Sequence, residues 1–203
     1  MKYFCFLLFL LVSSAANAQS TVILAGQLID GTGKVIKNPA VLIEGQRIVA
    51  IISQGEVPAT AAIIDLGDYT LLPGLIDLHV HPNITEDAYQ IEHLRRSSAE
   101  KALLALRRVQ AMLQAGWTTL RVAGDADVGY ANLEVRDAIQ QGWFTGPDIY
   151  GAGHYISVTG GGGDINFLSY EQNIQADGWV VDGPDAIRKA IREEIKYGSD
   201  WIK

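Results

Sequence analysis

The feature that most constrains the fold of this chain is an alternation of strand-like and helix-like segments that begins at Pro73. Short apolar segments predict four strands, at residues 74–79, 118–122, 148–152 and 200–203. Longer segments with helical periodicity lie between them. Strands that alternate with helices indicate βα units and a parallel sheet.

Capping residues and apolar spacing set the boundaries of the three predicted helices. One helix begins after Ser97 and ends before Gly116, a second spans about 133–141, and a third follows Pro184. The residues of the first and third helices that recur at three- or four-residue spacing, and are expected to face the core, are Leu103, Leu106, Val109, Leu113, Ile187, Ile191 and Ile195.

The number of units suggests half of a closed barrel. A complete (β/α)8 barrel takes ~250 residues, and residues 73–203 are about half of that length. We therefore expect the first four βα units of a TIM-type barrel, in an N-terminal fragment of a longer protein. An open α/β sheet of complete topology is the alternative. Before the barrel portion, residues 19–72 read as short strands with turns, a small β unit.

The first 18 residues have the features of a secretory signal peptide. Lys2 precedes an apolar run at 4–12, and Ala16-Asn17-Ala18 gives an A-x-A cleavage site. The run is too short to span a bilayer, so we expect export to the periplasm or medium, without stable membrane insertion. Cleavage would remove Cys5, the only cysteine, and so exclude disulfides.

The charge balance narrows the class of partner. Loss of Lys2 lowers the basic count from 16 to 15 against 23 acidic residues, and the net charge from -7 to -8. An acidic surface disfavours nucleic acid and anionic membranes. A small molecule or dipeptide is the expected partner, and assembly into a homo-oligomer stays open.

His79 and His81 stand at the end of the first predicted barrel strand, in the stretch "GLIDLHVHPN". Side chains alternate along a strand, so both imidazoles project from one face while Val80 packs on the other. Two imidazoles at this spacing can bind one cation, and barrel enzymes carry their chemistry at the carboxyl ends of strands. The alternative is a pair of hydrogen-bonded core histidines.

These segments resemble a known family. "LLPGLIDLHVH", with "ILAGQLIDGTG" and "VLIEGQRIVAI" before it, resembles the opening of the amidohydrolase superfamily, metal-dependent hydrolases on a (β/α)8 barrel. "AGWTTLRVAG", "GPDIYGAGHYISVTGGGGD" and "IKYGSDWIK" are closer to its imidazolonepropionase-like and Xaa-Pro dipeptidase-like members. The resemblance covers essentially the whole mature chain, and it implies that the N-terminal β unit is part of a β-sandwich.

The resemblance also implies roles for particular residues. His79 and His81 match two ligands of the more buried metal, and Lys203 matches a catalytic lysine whose carbamate bridges two ions. One or two divalent ions, most simply zinc, are expected. The remaining ligands and the catalytic aspartate are expected beyond residue 203, so this segment by itself would be an incomplete catalyst. Candidate substrate contacts are His154, Tyr155 and Asp164.

The chain departs from the family pattern in two places. The family often reads T-T-V-R-D, but Val122 follows Arg121 here, so the role of that aspartate is absent or passes to Asp125. The family's T-G-G-H-G-D has glycine in place of histidine at Gly162, which puts inherited substrate contacts in doubt. No Gly-Lys-Ser/Thr follows, so the glycine run predicts a mobile loop over the active face rather than a phosphate loop. His93 is expected at the surface.

The predicted function is hydrolysis of an amide by a metal-activated water. An Xaa-Pro dipeptide is the favoured substrate. The alternatives are a cyclic imide, lactone or imidazolone hydrolase, and a relative without metal that serves as a binding scaffold.

Overall fold

The computed structural model describes residues 20–85 and 87–203. They form two compact units that divide between Pro73 and Gly74. The predicted signal peptide at 1–18 lies outside the described residues. Within the described part of the chain, no helix is long and apolar enough to cross a membrane.

The first unit contains two small sheets. One has the order β5-β4-β1-β6 and the other the order β3-β2-β7. The strands are β1 Thr21–Leu24, β2 Gln27–Ile29, β3 Val35–Lys37, β4 Pro39–Glu44, β5 Arg47–Ser53, β6 Ala62–Asp65 and β7 Thr70–Leu71. A short 3-10 helix, Gln54–Glu56, follows β5. In the turn between β2 and β3, the Asp30 carboxylate accepts a hydrogen bond from the backbone N–H of Thr32 over 2.8 Å.

The second unit alternates strands with helices, as the sequence predicts. Three parallel strands lie in the order β10-β9-β8, and a further two-stranded sheet pairs β11 with β12. The strands are β8 Leu75–Val80, β9 Trp117–Ala123, β10 Asp148–Ala152, β11 Ile156–Ser157 and β12 Trp179–Val180. The helices are α1 Tyr89–Arg95, α2 Ser98–Gln114, α3 Ala131–Gln140 and α4 Pro184–Lys196.

The core of this unit joins the three parallel strands to α2 and α3. Leu120 and Val122 of β9 are completely buried and pack against Val109 of α2 and Val135 of α3. Val80 at the end of β8 belongs to the same cluster. Packing along one face of the sheet therefore fixes the carboxyl ends of the strands, where the predicted site lies.

The predicted fourth strand, 200–203, does not form. The segment lies beside β10 and β11 with two backbone hydrogen bonds, from Asp200 to the Gly151 carbonyl over 2.8 Å and from Ile156 to the Lys203 carbonyl over 2.9 Å. The backbone N–H of Gly151 donates instead to the Asp200 carboxylate over 2.8 Å. The Asp200 side chain thus accepts the hydrogen bond that a backbone carbonyl would accept in a regular β-sheet.

The apolar spacing predicted only part of the buried helix faces. Val109 is 1% exposed in the core and Leu106 packs against that core, as expected. Leu103 is 69% exposed and Ile195 is 63% exposed, although both belong to the predicted apolar faces. Lys101 and Glu194 on the same two helices are 3% and 0% exposed. Charged side chains are buried only where partners satisfy them, and each of these two has several.

His93 was also wrongly expected at the surface, since it is 5% exposed. Its Nδ1 lies 2.8 Å from the ammonium of Lys101, and its Nε2 lies 3.3 Å from the Gln175 carbonyl oxygen. Lys101 also pairs with the Asp127 carboxylate over 3.4 Å. The sequence places His93 among charged residues, but these partners come from other elements and bury it.

Candidate active site

His79 lies in β8 and His81 directly follows it, and the two imidazoles occupy one side of the strand. Val80, which separates them, is buried in the core on the opposite side. His79 is exposed and His81 is half-buried, so neither imidazole is a core side chain. The backbone N–H of His79 donates to the Asp77 carboxylate over 3.0 Å, which fixes the strand immediately before the pair.

The geometry of the pair suits a metal ion. The Nε2 atoms of His79 and His81 are 3.1 Å apart. Two nitrogen ligands at 2.0–2.1 Å from a tetrahedral zinc ion would be about 3.3 Å apart. The Nδ1 atom of His81 lies 2.7 Å from the carbonyl oxygen of Gly124, and a carbonyl can only accept. His81 therefore donates from Nδ1 and keeps the Nε2 lone pair for a ligand.

The surroundings of His81 keep its imidazole neutral. Burial lowers its pKa, and electrostatic repulsion from His79 and Lys203 lowers it further, while the hydrogen bond to Gly124 acts in the opposite direction. The net pKa is lower than that of an ordinary histidine. A neutral imidazole is the form that binds a cation.

A cavity of about 360 Å³ opens beside His81. It lies within the second unit, and its size falls in the range of small-molecule pockets. The residues that line it are His81, Ile84, Tyr89, Tyr155, Ile156, Ser157, Gly162, Gly163 and Lys203. Three of the residues predicted from sequence, His81, Tyr155 and Lys203, therefore border the same space.

Three other predicted residues, His79, His154 and Asp164, do not line this cavity, although His79 lies next to His81. His154 is 4% exposed, and its Nδ1 lies 2.7 Å from the carboxylate of Glu194. The Asp164 carboxylate accepts hydrogen bonds from the backbone N–H groups of Gly160 and Ile165, each over 2.9 Å. His154 thus belongs to a buried hydrogen-bonded cluster, and Asp164 holds the glycine run in its loop.

The ring of Tyr155 occupies space that is free only because two neighbouring residues are glycines. A Cβ atom on Gly163 would lie 2.7 Å from the tyrosine ring, and one on Gly178 would lie 2.5 Å from it. The ring stands nearly perpendicular to the His81 imidazole, with centroids 6.5 Å apart. Burial and the adjacent Asp177 carboxylate raise the pKa of Tyr155, so its hydroxyl stays protonated and can donate a hydrogen bond.

Asp125 supports the turn that follows His81. It is completely buried, and its carboxylate accepts hydrogen bonds from the backbone and side-chain nitrogens of Asn83 over 2.9 and 2.8 Å. Burial raises the pKa of Asp125 to about 7, although these hydrogen bonds oppose the shift. In the sequence, Asp125 was indicated only because Val122 stands where the family pattern has an aspartate.

Gly162 and Gly163 belong to the glycine run, which was expected to form a loop over the active face, but the remaining part of the cavity wall was not predicted. Tyr89 comes from α1, and Ile156 and Ser157 form β11, two elements that the sequence pattern did not indicate. Across residues 20–85 and 87–203, no three histidine, cysteine, aspartate or glutamate side chains come together as a metal site. The candidate donors of the described chain are therefore the histidine pair and Lys203.

Comparison with known proteins identifies the family. The model of the family described as "Amidohydrolase family" matches residues 70–203. The chain belongs to the amidohydrolase family. The resemblance predicted from sequence is thereby confirmed, and with it the α/β fold class, which is consistent with part of a TIM-barrel-containing fold. Members of this family are hydrolases of carbon–nitrogen bonds and generally use a divalent metal.

Individual relatives match nearly all of this amidohydrolase chain. Ochratoxinase from Aspergillus niger is 29% identical over 213 residues, which cover 96% of this chain and 43% of that protein. A prolidase structure complexed with N-methylphosphonate-L-proline has a TM-score of 0.78 and 31% identity, covering 91% of this chain and 46% of the prolidase. A Xaa-Pro dipeptidase structure with bound methionine has a TM-score of 0.77 and 32% identity, with the same two coverages. The chain spans less than half the length of these relatives.

Proposed function

We propose that the full-length protein is a metal-dependent hydrolase of amide bonds and that dipeptides of the Xaa-Pro type are its substrates. The observation that carries this proposal is the histidine pair, His79 and His81, whose Nε2 atoms are 3.1 Å apart, next to a cavity that His81 and Lys203 line. The prolidase and Xaa-Pro dipeptidase structures support the substrate class.

The residues present fit a divalent ion, most simply zinc, held by His79 and His81. Bound there, such an ion supplies an activated water and polarises the scissile carbonyl. The Gly124 carbonyl keeps the His81 Nε2 lone pair available. Tyr155 also lines the cavity, but its hydroxyl oxygen is buried within the protein next to the Asp177 carboxylate.

Lys203 has a second role in this proposal. As an ammonium it would repel a cation beside His81, and ammonium groups only donate hydrogen bonds. Its neutral amine can add to carbon dioxide, forming a nitrogen–carbon bond and releasing one proton. The resulting carbamate carries two anionic oxygens, which can bridge two ions. We therefore propose carbamylation of Lys203 in a two-metal site.

A substrate panel tests the proposed function. Full-length protein would be assayed against Xaa-Pro dipeptides, a cyclic imide and a lactone, before and after removal of metal with a chelator. We expect dipeptide hydrolysis that is lost with the metal and restored by zinc. If the protein preferred the imide or the lactone, that compound class would replace Xaa-Pro dipeptides as the proposed substrate. Undiminished hydrolysis in demonstrably metal-free protein would contradict the proposal.

A further inference from the structure

The glycine run at 160–163 borders the cavity, and three of its four glycines have a local structural reason. Gly160 has a φ of 74°, in the region that favours glycine. A Cβ atom on Gly161 would lie 2.4 Å from the Ser157 hydroxyl oxygen. A Cβ atom on Gly163 would collide with the ring of Tyr155 at 2.7 Å. Any larger residue at these three positions would therefore strain the loop or displace a neighbour.

Gly162 is different from its neighbours. A Cβ atom built on it meets no other atom within 4 Å, and its φ lies outside the left-handed region. Neither backbone conformation nor packing within the described chain requires glycine here. Yet Gly162 lines the cavity together with His81 and Lys203. Gly162 is exposed, so the space that a side chain would occupy is open to solvent and to the adjoining cavity.

The chemistry of the cavity wall indicates what could occupy that space. Ile84, Tyr89, Tyr155 and Ile156 supply apolar and aromatic surface. The polar groups able to act on an amide lie at His81 and Lys203. Aromatic side chains favour apolar and aromatic partners, through burial of area and through edge or offset ring contacts. A ligand with its amide at the histidine would accordingly extend an apolar group along the aromatic wall.

We propose that Gly162 is a specificity-determining residue, and that the space left by its missing side chain admits a bulky aromatic group of the substrate. The substrate class is then amides, such as dipeptides and N-acyl amino acids, with an aromatic group on the acyl side of the scissile bond. This inference rests on the proposed amide hydrolysis and specifies its substrate.

The test compares a large and a small substrate in two glycine variants. Gly162→Leu and the control Gly31→Leu would be made in the full-length protein. Gly31 also has open space for a side chain and no left-handed φ, but it lies in a surface turn of the first unit. The measurement is kcat/KM for Phe-Pro and for Gly-Pro, with thermal unfolding to verify that each variant folds.

We expect Gly162→Leu to lose at least about tenfold more kcat/KM on Phe-Pro than on Gly-Pro, since pocket shape discriminates substrates on that scale. The Phe-Pro to Gly-Pro ratio of Gly31→Leu should equal that of the wild type. An unchanged ratio in Gly162→Leu would overturn the inference. If Gly162→Leu fails to fold, Gly162→Ala takes its place, and the same reading applies to a smaller shift of the ratio.

A binding measurement separates this inference from the proposed function. Affinities for N-phenylphosphonate-L-proline and N-methylphosphonate-L-proline would be measured by calorimetry on zinc-loaded wild type and Gly162→Leu. Selective weakening of the phenyl compound supports the role of Gly162 even if the wild type hydrolyses no amide, an outcome that would refute the proposed function alone. Equal weakening of both compounds, or binding of neither by the wild type, overturns the role of Gly162.

Discussion

Glu194 of α4 and His154, two residues beyond β10, are joined by a hydrogen bond of 2.7 Å from the imidazole Nδ1 to the carboxylate. Glu194 is completely buried. It also accepts hydrogen bonds from the Ser199 hydroxyl, the Trp179 indole and the backbone N–H of Gly153. One carboxylate thus ties α4 to the chain that continues into Tyr155 and the cavity wall.

Replacing Glu194 with glutamine should destabilise the protein strongly. The amide removes the charge and places a donor among groups that already donate. We expect a loss of roughly 3 kcal/mol in the free energy of unfolding, as for other broken buried pairs. Asp185→Asn is the control, because its side chain on the same helix is 98% exposed and surface changes cost less than about 0.5 kcal/mol. Urea denaturation of full-length variants measures both, and equal midpoints would contradict the assignment.

The difference in stability between the wild type and Glu194→Gln should depend on pH. Burial alone raises the pKa of Glu194, but hydrogen bonds from His154 and Ser199 outweigh it, so the folded pKa lies below the ordinary 4.5. Such a carboxylate contributes stability that is fully present above the unfolded pKa and is lost as pH falls through the folded pKa. The stability gap between wild type and Glu194→Gln should therefore narrow below about pH 4.5. A gap that stays constant into acid would count against the lowered pKa.

Removal of either candidate ligand should reduce both metal content and activity. His79→Ala and His81→Ala are expected to lower zinc affinity by more than about tenfold, since even changes around a ligand cost that much. His93→Gln is a matched control, because it removes a histidine from a buried network outside the cavity. Elemental analysis of purified full-length protein gives the metal content. Undiminished zinc in both alanine variants would return these histidines to a structural role.

Carbamylation of Lys203 predicts chemical rescue. Lys203→Ala should lose most of the turnover, and added short-chain carboxylic acids should restore part of it by supplying the missing anionic oxygens. Lys196→Ala removes an exposed lysine and should neither lose activity nor respond to the acids. Steady-state assays across an acid concentration series provide the measurement. Full activity of Lys203→Ala without added acid would contradict the proposed carbamate at Lys203.

The two adjacent glycines of the cavity loop should differ in their tolerance of a methyl group. Gly163→Ala places a Cβ atom 2.7 Å from the Tyr155 ring, whereas Gly162→Ala meets no other atom within 4 Å. We expect Gly163→Ala to destabilise the protein by about 1–3 kcal/mol, the usual cost of overpacking, and Gly162→Ala to have little effect. Differential scanning calorimetry compares them. Equal melting temperatures would show that the ring yields freely.

We propose that the protein is exported and cleaved between Ala18 and Gln19. The apolar run and the A-x-A site support this proposal. Expression from Met1 in a bacterial host should give a periplasmic or secreted form that begins at Gln19. Replacing Ala18 with arginine should block processing, because signal peptidase sites need small residues. N-terminal sequencing that finds Met1 on the exported form would refute the cleavage.

Features set by neighbouring residues could be predicted from the sequence. Ser97 caps α2 by accepting a hydrogen bond from the backbone N–H of Glu100 over 3.2 Å, and Pro184 begins α4. The alternation that places His79 of β8 and the following His81 on one side is equally local. These predictions succeeded because capping, proline geometry and strand alternation act over a few residues.

Features that depend on distant partners could not be predicted. β11 pairs Ile156–Ser157 with Trp179–Val180, more than twenty residues along the chain. The burial of Lys101 depends on His93 and Asp127, which belong to other elements. The apolar periodicity of a sequence describes one helix or strand at a time. It therefore contains no information about contacts between elements that are distant along the chain.

Gly124 adopts a φ of 75°, and a Cβ atom on it would lie 2.7 Å from the backbone nitrogen of Tyr155. Its carbonyl is the group that orients His81. A substitution of Gly124 would remove no candidate metal ligand and no charge. A ranking of substitutions by side-chain chemistry alone would therefore not mark it as affecting the site. Such a substitution should nevertheless have an effect similar to the loss of His81, because it displaces the carbonyl that orients this imidazole. Backbone atoms therefore belong to the functional site of this protein as much as side chains do.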